Sequence, residues 1–128
     1  MIRAVLAWGP AVLWAAVLFF FSGLSFRSSP DPYPIPGLDK VAHFVLYAVL
    51  GALLCRGREA DGRTLRHGVV LLLGALYGAS DEWHQSWIPG RDVSALDWAA
   101  DLAGLAAGYW TLLWLIGRRR ADAGRPTA

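Results

Sequence analysis

The stretch "LYGASDEWHQSWIPGRDVSALDWAADLAGLAAG", residues 76–108, starts and ends as apolar helix, yet its middle carries Asp81, Glu82, His84, Gln85, Arg91, Asp92, Asp97 and Asp101. Pro89-Gly90 marks a turn between two helices. Charge therefore gathers at the end of one apolar segment and at the start of the next. The rest of the chain shows what this pattern is for.

Upstream, Ala4 to Phe26 holds 23 positions without a charged residue. At about 1.5 Å per residue that is roughly 35 Å of helix, enough to cross a bilayer. The run is long for the apolar core of a signal peptide, and further apolar segments follow it. Pro10 is expected to kink or start this helix. Residues 27–38, "RSSPDPYPIPGL", contain four prolines and read as a loop. Three shorter apolar runs follow, Val41–Cys55, Gly68–Ser80 and Leu102–Gly117, of 15, 13 and 16 residues. A crossing takes roughly 20 residues. Each run reaches that length only by absorbing its polar flank, which puts Asp39, Glu82 and Asp97 at helix ends. The runs are apolar on all sides, which a soluble amphipathic bundle would not be.

The whole composition agrees. The 128 residues are 55% hydrophobic and 17% charged, with a mean hydropathy of +0.38. A soluble domain of this size carries about a quarter charged residues. The single cysteine, Cys55, excludes an internal disulfide and a cysteine-based zinc site. The predicted architecture is all-α: one domain over residues 1–128, a bundle of four transmembrane helices at about 4–26, 39–56, 67–87 and 97–117, with a disordered tail over 118–128.

With the N-terminus in the cytoplasm, nine of the twelve basic residues (Arg3, Arg56, Arg58, Arg63, Arg66, Arg118, Arg119, Arg120 and Arg125) fall on the cytoplasmic side. This is the positive-inside asymmetry, and it predicts both termini inside a bacterial cytoplasmic membrane. Asp31, Asp39, Asp81, Glu82, Asp92, Asp97 and Asp101 fall on the opposite side, with Trp83, Trp87 and Trp98 placed for the outer interface. The arginines read as a topology signal beside helix ends, so no nucleic-acid partner is expected.

The polar flanks thus converge on one side as an extracytoplasmic cup. Asp39, His43 and Tyr47 recur every four residues on one helix face, as do Asp97 and Asp101, whose face continues through Gly104 and Gly108. Small residues at that spacing let helix backbones approach closely. Gly74 and Gly78 repeat the device. The candidate site comprises Asp39, Lys40, His43, Tyr47, Glu82, Gln85, Arg91, Asp97 and Asp101, with no catalytic role assigned. Arg91 suits bidentate capture of a phosphate or carboxylate. Lys40 is expected to snorkel to the outer interface, and His84 to lie at that interface. No cofactor is expected. Asp39, His43, Glu82, Asp97 and Asp101 are ligand types that would suit a divalent metal, but they lie in no metal-binding motif, and no metal is assigned.

The blocks "DKVAHFVLYAVLG" (39–51), "DEWHQSWIPGR" (81–91) and "DWAADLAGLAAG" (97–108) together resemble the signature of the VanZ-like family: Asp-Lys-x-x-His-x-x-x-Tyr, then Glu-x-x-Gln with a following Pro-x-Arg, then Asp-x-x-x-Asn with glycines after. The resemblance covers about residues 15–117, with Asp101 standing where the family often has Asn. It implies an integral membrane protein of the cell envelope with a teicoplanin-resistance-type role, in which the cup engages a lipid-linked or anionic envelope component. A small intramembrane enzyme using carboxylate and histidine acid-base chemistry, and a structural protein whose polar cluster only fixes helix register, are the alternatives. Whether the protein is an enzyme, and its oligomeric state, stay open at this level.

Overall fold

A computed structural model describes residues 2–23, 37–62, 65–88 and 95–124. It consists of four helices, α1 (Ile2–Ser22), α2 (Leu38–Ala60), α3 (His67–Gln85) and α4 (Ala95–Ala123), with no strand among the described residues. α1, α2 and α4 are each long and apolar enough to cross a membrane. α3, at 19 residues, is about 28 Å long by its rise per residue.

The polarity of the fold is inverted relative to a soluble protein. Asp101 is 1% exposed and Asp81 3%, whereas Leu13 is 68% and Phe20 65% exposed. Leu72, Leu73 and Leu76 of α3 and Trp110 and Trp114 of α4 likewise face outward. A lipid exterior asks for this arrangement: apolar surface faces the hydrocarbon, and polar groups face one another.

α2 and α4 form the central pair, and they run in the same direction. Their backbones touch through glycine. A side chain on Gly104 would collide with the backbone of Phe44, one on Gly108 with that of Ala48, and one on Gly51 with the carbonyl of Leu105. The expected role of Gly104 and Gly108 is therefore realised as direct backbone packing. Gly74 of α3 seats the side chains of Leu105 and Leu54, and Gly78 sits against the Tyr47 ring. Around the pair, Leu18, Tyr47, Leu50 and Leu105 form one buried cluster, and Cys55, Val70 and Tyr109 a second.

Pro10 lies inside α1 rather than at its start. Its ring nitrogen cannot donate to the Leu6 carbonyl four residues back. Arg56 of α2 reaches that carbonyl and its neighbour on Ala7, both at 3.5 Å. A cross-helix donor thus approaches the group that proline leaves without its usual partner, as membrane helices commonly arrange.

Helix limits depart from expectation mainly at the basic end. α2 runs to Ala60 instead of 56, and closes on Gly62 in the left-handed region at φ 81°. α4 continues to Ala123, so much of the expected disordered tail is helical. Two contacts account for the extension. Arg120 pairs with Glu59 at 3.1 Å, and Arg118 covers the Trp114 ring at 4.8 Å. Arg3 also donates to the Ala60 carbonyl at 3.4 Å and Trp8 Nε1 to Asp61 at 3.1 Å. The start of α1 and the ends of α2 and α4 therefore meet at one basic end. The opposite end is acidic.

Gly108→Ala is expected to lower the thermal midpoint of the detergent-solubilised protein, by an overpacking cost of about 1–3 kcal/mol. Gly117, with open space at its Cβ position, is the control: Gly117→Ala removes a helical glycine and should hold or raise the midpoint. Circular-dichroism melts giving both variants the same shift would refute the close backbone approach.

Candidate functional site

At the acidic end the polar side chains lie in two layers. The floor is buried and centred on Asp81. Ser22 Oγ donates to Asp81 Oδ1 at 2.6 Å, and Tyr47 OH and Gln85 Nε2 each approach Oδ2 at 3.4 Å. One carboxylate therefore ties the end of α1 and the middle of α2 to α3. Beside it, His43 Nδ1 lies 2.9 Å from Asp101 Oδ1, joining α2 to α4. The second oxygen, Asp101 Oδ2, is buried with no hydrogen-bond partner among the described residues.

The rim is more accessible. Lys40 Nζ donates to Asp39 at 2.6 Å and to Asp97 of α4 at 2.7 Å. The side chains of Lys40, Asp39 and Asp97 are 34%, 37% and 14% exposed. Between rim and floor, donor atoms of His43, Glu82 and Asp97 all come within 4.8 Å of one another, one residue from each of α2, α3 and α4.

Helical spacing explains this convergence. Lys40, His43 and Tyr47 recur at three and four residues, which places them along one face of α2. Asp97 and Asp101 do the same on α4, directly above Gly104 and Gly108. Because glycine brings the two backbones together, the short aspartate side chains can reach α2 at all. Asp81, Glu82 and Gln85 arrive on the last turn of α3, all three buried.

Seven of the expected residues, Lys40, His43, Tyr47, Glu82, Gln85, Asp97 and Asp101, are thereby brought to this end of the bundle, with Asp39 joined to them through Lys40. Arg91 lies outside the described residues. Lys40, expected to snorkel to the outer interface, has its ammonium held by two carboxylates within 2.7 Å. His84 stacks its ring on Phe19 of α1, with centroids 4.2 Å apart. Asp81 and Ser22 were absent from the expected set. The spacing of Asp81 and Gln85 was visible, but Ser22 becomes a partner only through the packing of α1 on α3, which no local pattern encodes.

Comparison with known proteins gives a match to the family model described as VanZ/LLP1, over residues 7–116. No curated protein and no solved structure matches the chain.

Asp81→Ala should leave the Ser22 and Tyr47 hydroxyls facing a buried gap. The expected loss is about 2–3 kcal/mol of stability, the usual cost of removing a buried charged acceptor. Asp81→Asn keeps an oxygen for Ser22 and should lose about half as much. Thermal melts in one detergent decide; equal midpoints for wild type and Asp81→Ala would show that the floor does not brace α1.

Proposed function

The chain belongs to the VanZ/LLP1 family of membrane proteins, and from that premise we propose that it crosses the cytoplasmic membrane four times with both termini inside. Its acidic end then faces the envelope and takes an anionic or lipid-linked envelope component, in a role of the glycopeptide-resistance type. One observation carries this reading: the division of the polar end into a floor and a rim. Asp81 and Asp101 on the floor are buried and engaged with neighbouring helices. Lys40 and Asp39 on the rim remain one-third exposed. A cluster that served only to fix helix register would have no use for a reachable rim.

Orientation follows from charge. Arg3, Arg56, Arg58, Arg66, Arg118, Arg119 and Arg120 occur on helix termini or connections at the end away from the cup, a bias that supports a cytoplasmic location for that end. Trp83 and Trp87, 67% and 72% exposed at the cup end, sit where indole rings favour the outer interface. α3 presents Leu72, Leu73 and Leu76 outward, which supports a fourth crossing.

In a Cys55→Ala background, an impermeant thiol reagent added to whole cells should label Ser29→Cys and Ser94→Cys, but not Thr64→Cys. Labelling of Thr64→Cys reverses the orientation and turns the cup inward.

Glu82→Gln and Asp97→Asn remove charge at nearly constant volume, and Lys40 keeps Asp39 as a partner in the second variant. Both are expected to melt within a few degrees of wild type and to lose any phosphate-containing lipid that native mass spectrometry finds on the wild-type protein. Lipid retained equally by wild type and both variants would reduce the cup to a brace.

A further inference from the structure

Asp39, Asp81, Glu82, Asp97 and Asp101 gather at the acidic end together with Lys40 and His43. Two features of this group point to a bound cation. His43, Glu82 and Asp97 bring one nitrogen and two carboxylate donors within 4.8 Å of one another, from three different helices. In addition, Asp101, 1% exposed, spends one oxygen on His43 and keeps the other without a hydrogen bond.

We propose that His43, Glu82 and Asp97 bind a divalent transition-metal cation between α2, α3 and α4, with Asp101 orienting the histidine. In the proposed site His43 donates its Nδ1–H to Asp101, 2.9 Å away, and binds the metal through Nε2. A histidine that donates its other ring N–H to a carboxylate is the usual outer-shell arrangement around a metal, and it makes the ligating nitrogen more basic. Mixed imidazole and carboxylate donors suit Mn²⁺ or Zn²⁺; an all-oxygen cage would favour Mg²⁺ or Ca²⁺. Three protein ligands leave positions for water or for an oxygen of an anionic ligand. Closing the donors onto a metal at about 2.0–2.2 Å requires side-chain movement of roughly an ångström, which rotamer changes of Glu82 and His43 supply. The metal site does not depend on the envelope ligand proposed above, since the cation alone is enough to test it.

The test uses the full-length protein in detergent, stripped with a chelator and titrated with Mn²⁺. Electron paramagnetic resonance is expected to show uptake of a single ion per chain. Pulsed measurements should show coupling to a coordinated nitrogen that disappears in His43→Gln. Glu82→Gln and Asp97→Asn should each weaken uptake by at least about tenfold, and Asp101→Asn by roughly 10–100-fold, the range for an outer-shell partner. Asp122→Asn, at the basic end, should bind as wild type. Melts of each metal-free variant establish that it is folded. No uptake of Mn²⁺ or Zn²⁺ by a cooperatively melting wild type overturns the proposal. So does uptake that survives in the Glu82→Gln, Asp97→Asn double variant, or an ion bound without a coordinated nitrogen. Lipid that stays bound after chelation, in a protein that takes up no metal, would overturn the metal site alone. Metal bound with no lipid found leaves the metal site standing and counts against the envelope reading.

Discussion

The close contact between α2 and α4 governs everything built at the acidic end. Gly104 lies on the backbone of Phe44, and Gly108 on that of Ala48. This sets both the distance and the register of two parallel helices. One turn nearer the acidic end, the same register brings Asp101 to His43, and one turn beyond that it brings Asp97 to Lys40. Aspartate has only one methylene between backbone and carboxylate. With ordinary interaxial distances of 8–10 Å, such short side chains would not meet donors on a neighbouring helix so directly. Packing by small residues and pairing by polar residues are thus one device, in which the first makes the second geometrically possible.

The polar interior and the apolar exterior are likewise coupled. In hydrocarbon, an unsatisfied polar group costs several kcal/mol, and solvent does not relieve it. Asp81 meets that demand by gathering donors from α1, α2 and α3. At the other end, Glu59 serves Arg58 and Arg120 together. α2 and α4 are therefore fastened at both ends and by glycine between them, while α3 is held to them largely by side chains. In such a frame, α3 is the element that brings Glu82 to a rigid pair, so the geometry of the His43–Glu82–Asp97 cluster depends on how α3 seats.

Much of this was legible in the sequence because membrane helices are written in simple terms. A charge-free run and apolar segments extended by polar flanks delimit the helices. The three- and four-residue spacing of Asp97, Asp101, Gly104 and Gly108 correctly assigned one face of α4. What could not be read depends on contacts distant in sequence. Ser22 is polar at the end of an apolar helix, and only the α1–α3 packing makes it the partner of Asp81. Lys40 could reach water or an aspartate equally well by its length; the position of Asp97 decided. The "RRRADA" segment looked like a polar tail, yet α4 continues through it because Arg120 finds Glu59 across the bundle. Basic residues at that end thus serve as structural ties.

The parallel pairing of α2 with α4 has a consequence for biosynthesis. Lys40 and Asp97 are 57 residues apart, and His43 and Asp101 are 58 apart. At about 5–20 residues per second, the ribosome needs roughly 3–12 s to make the partner after α2 has been synthesised. Throughout that interval α2 has its ammonium and imidazole without the carboxylates of α4, a poor state in which to meet lipid. Helix insertion and bundle closure are consequently separate events for this chain, with α4 supplying the polar partners that α2 lacks until then.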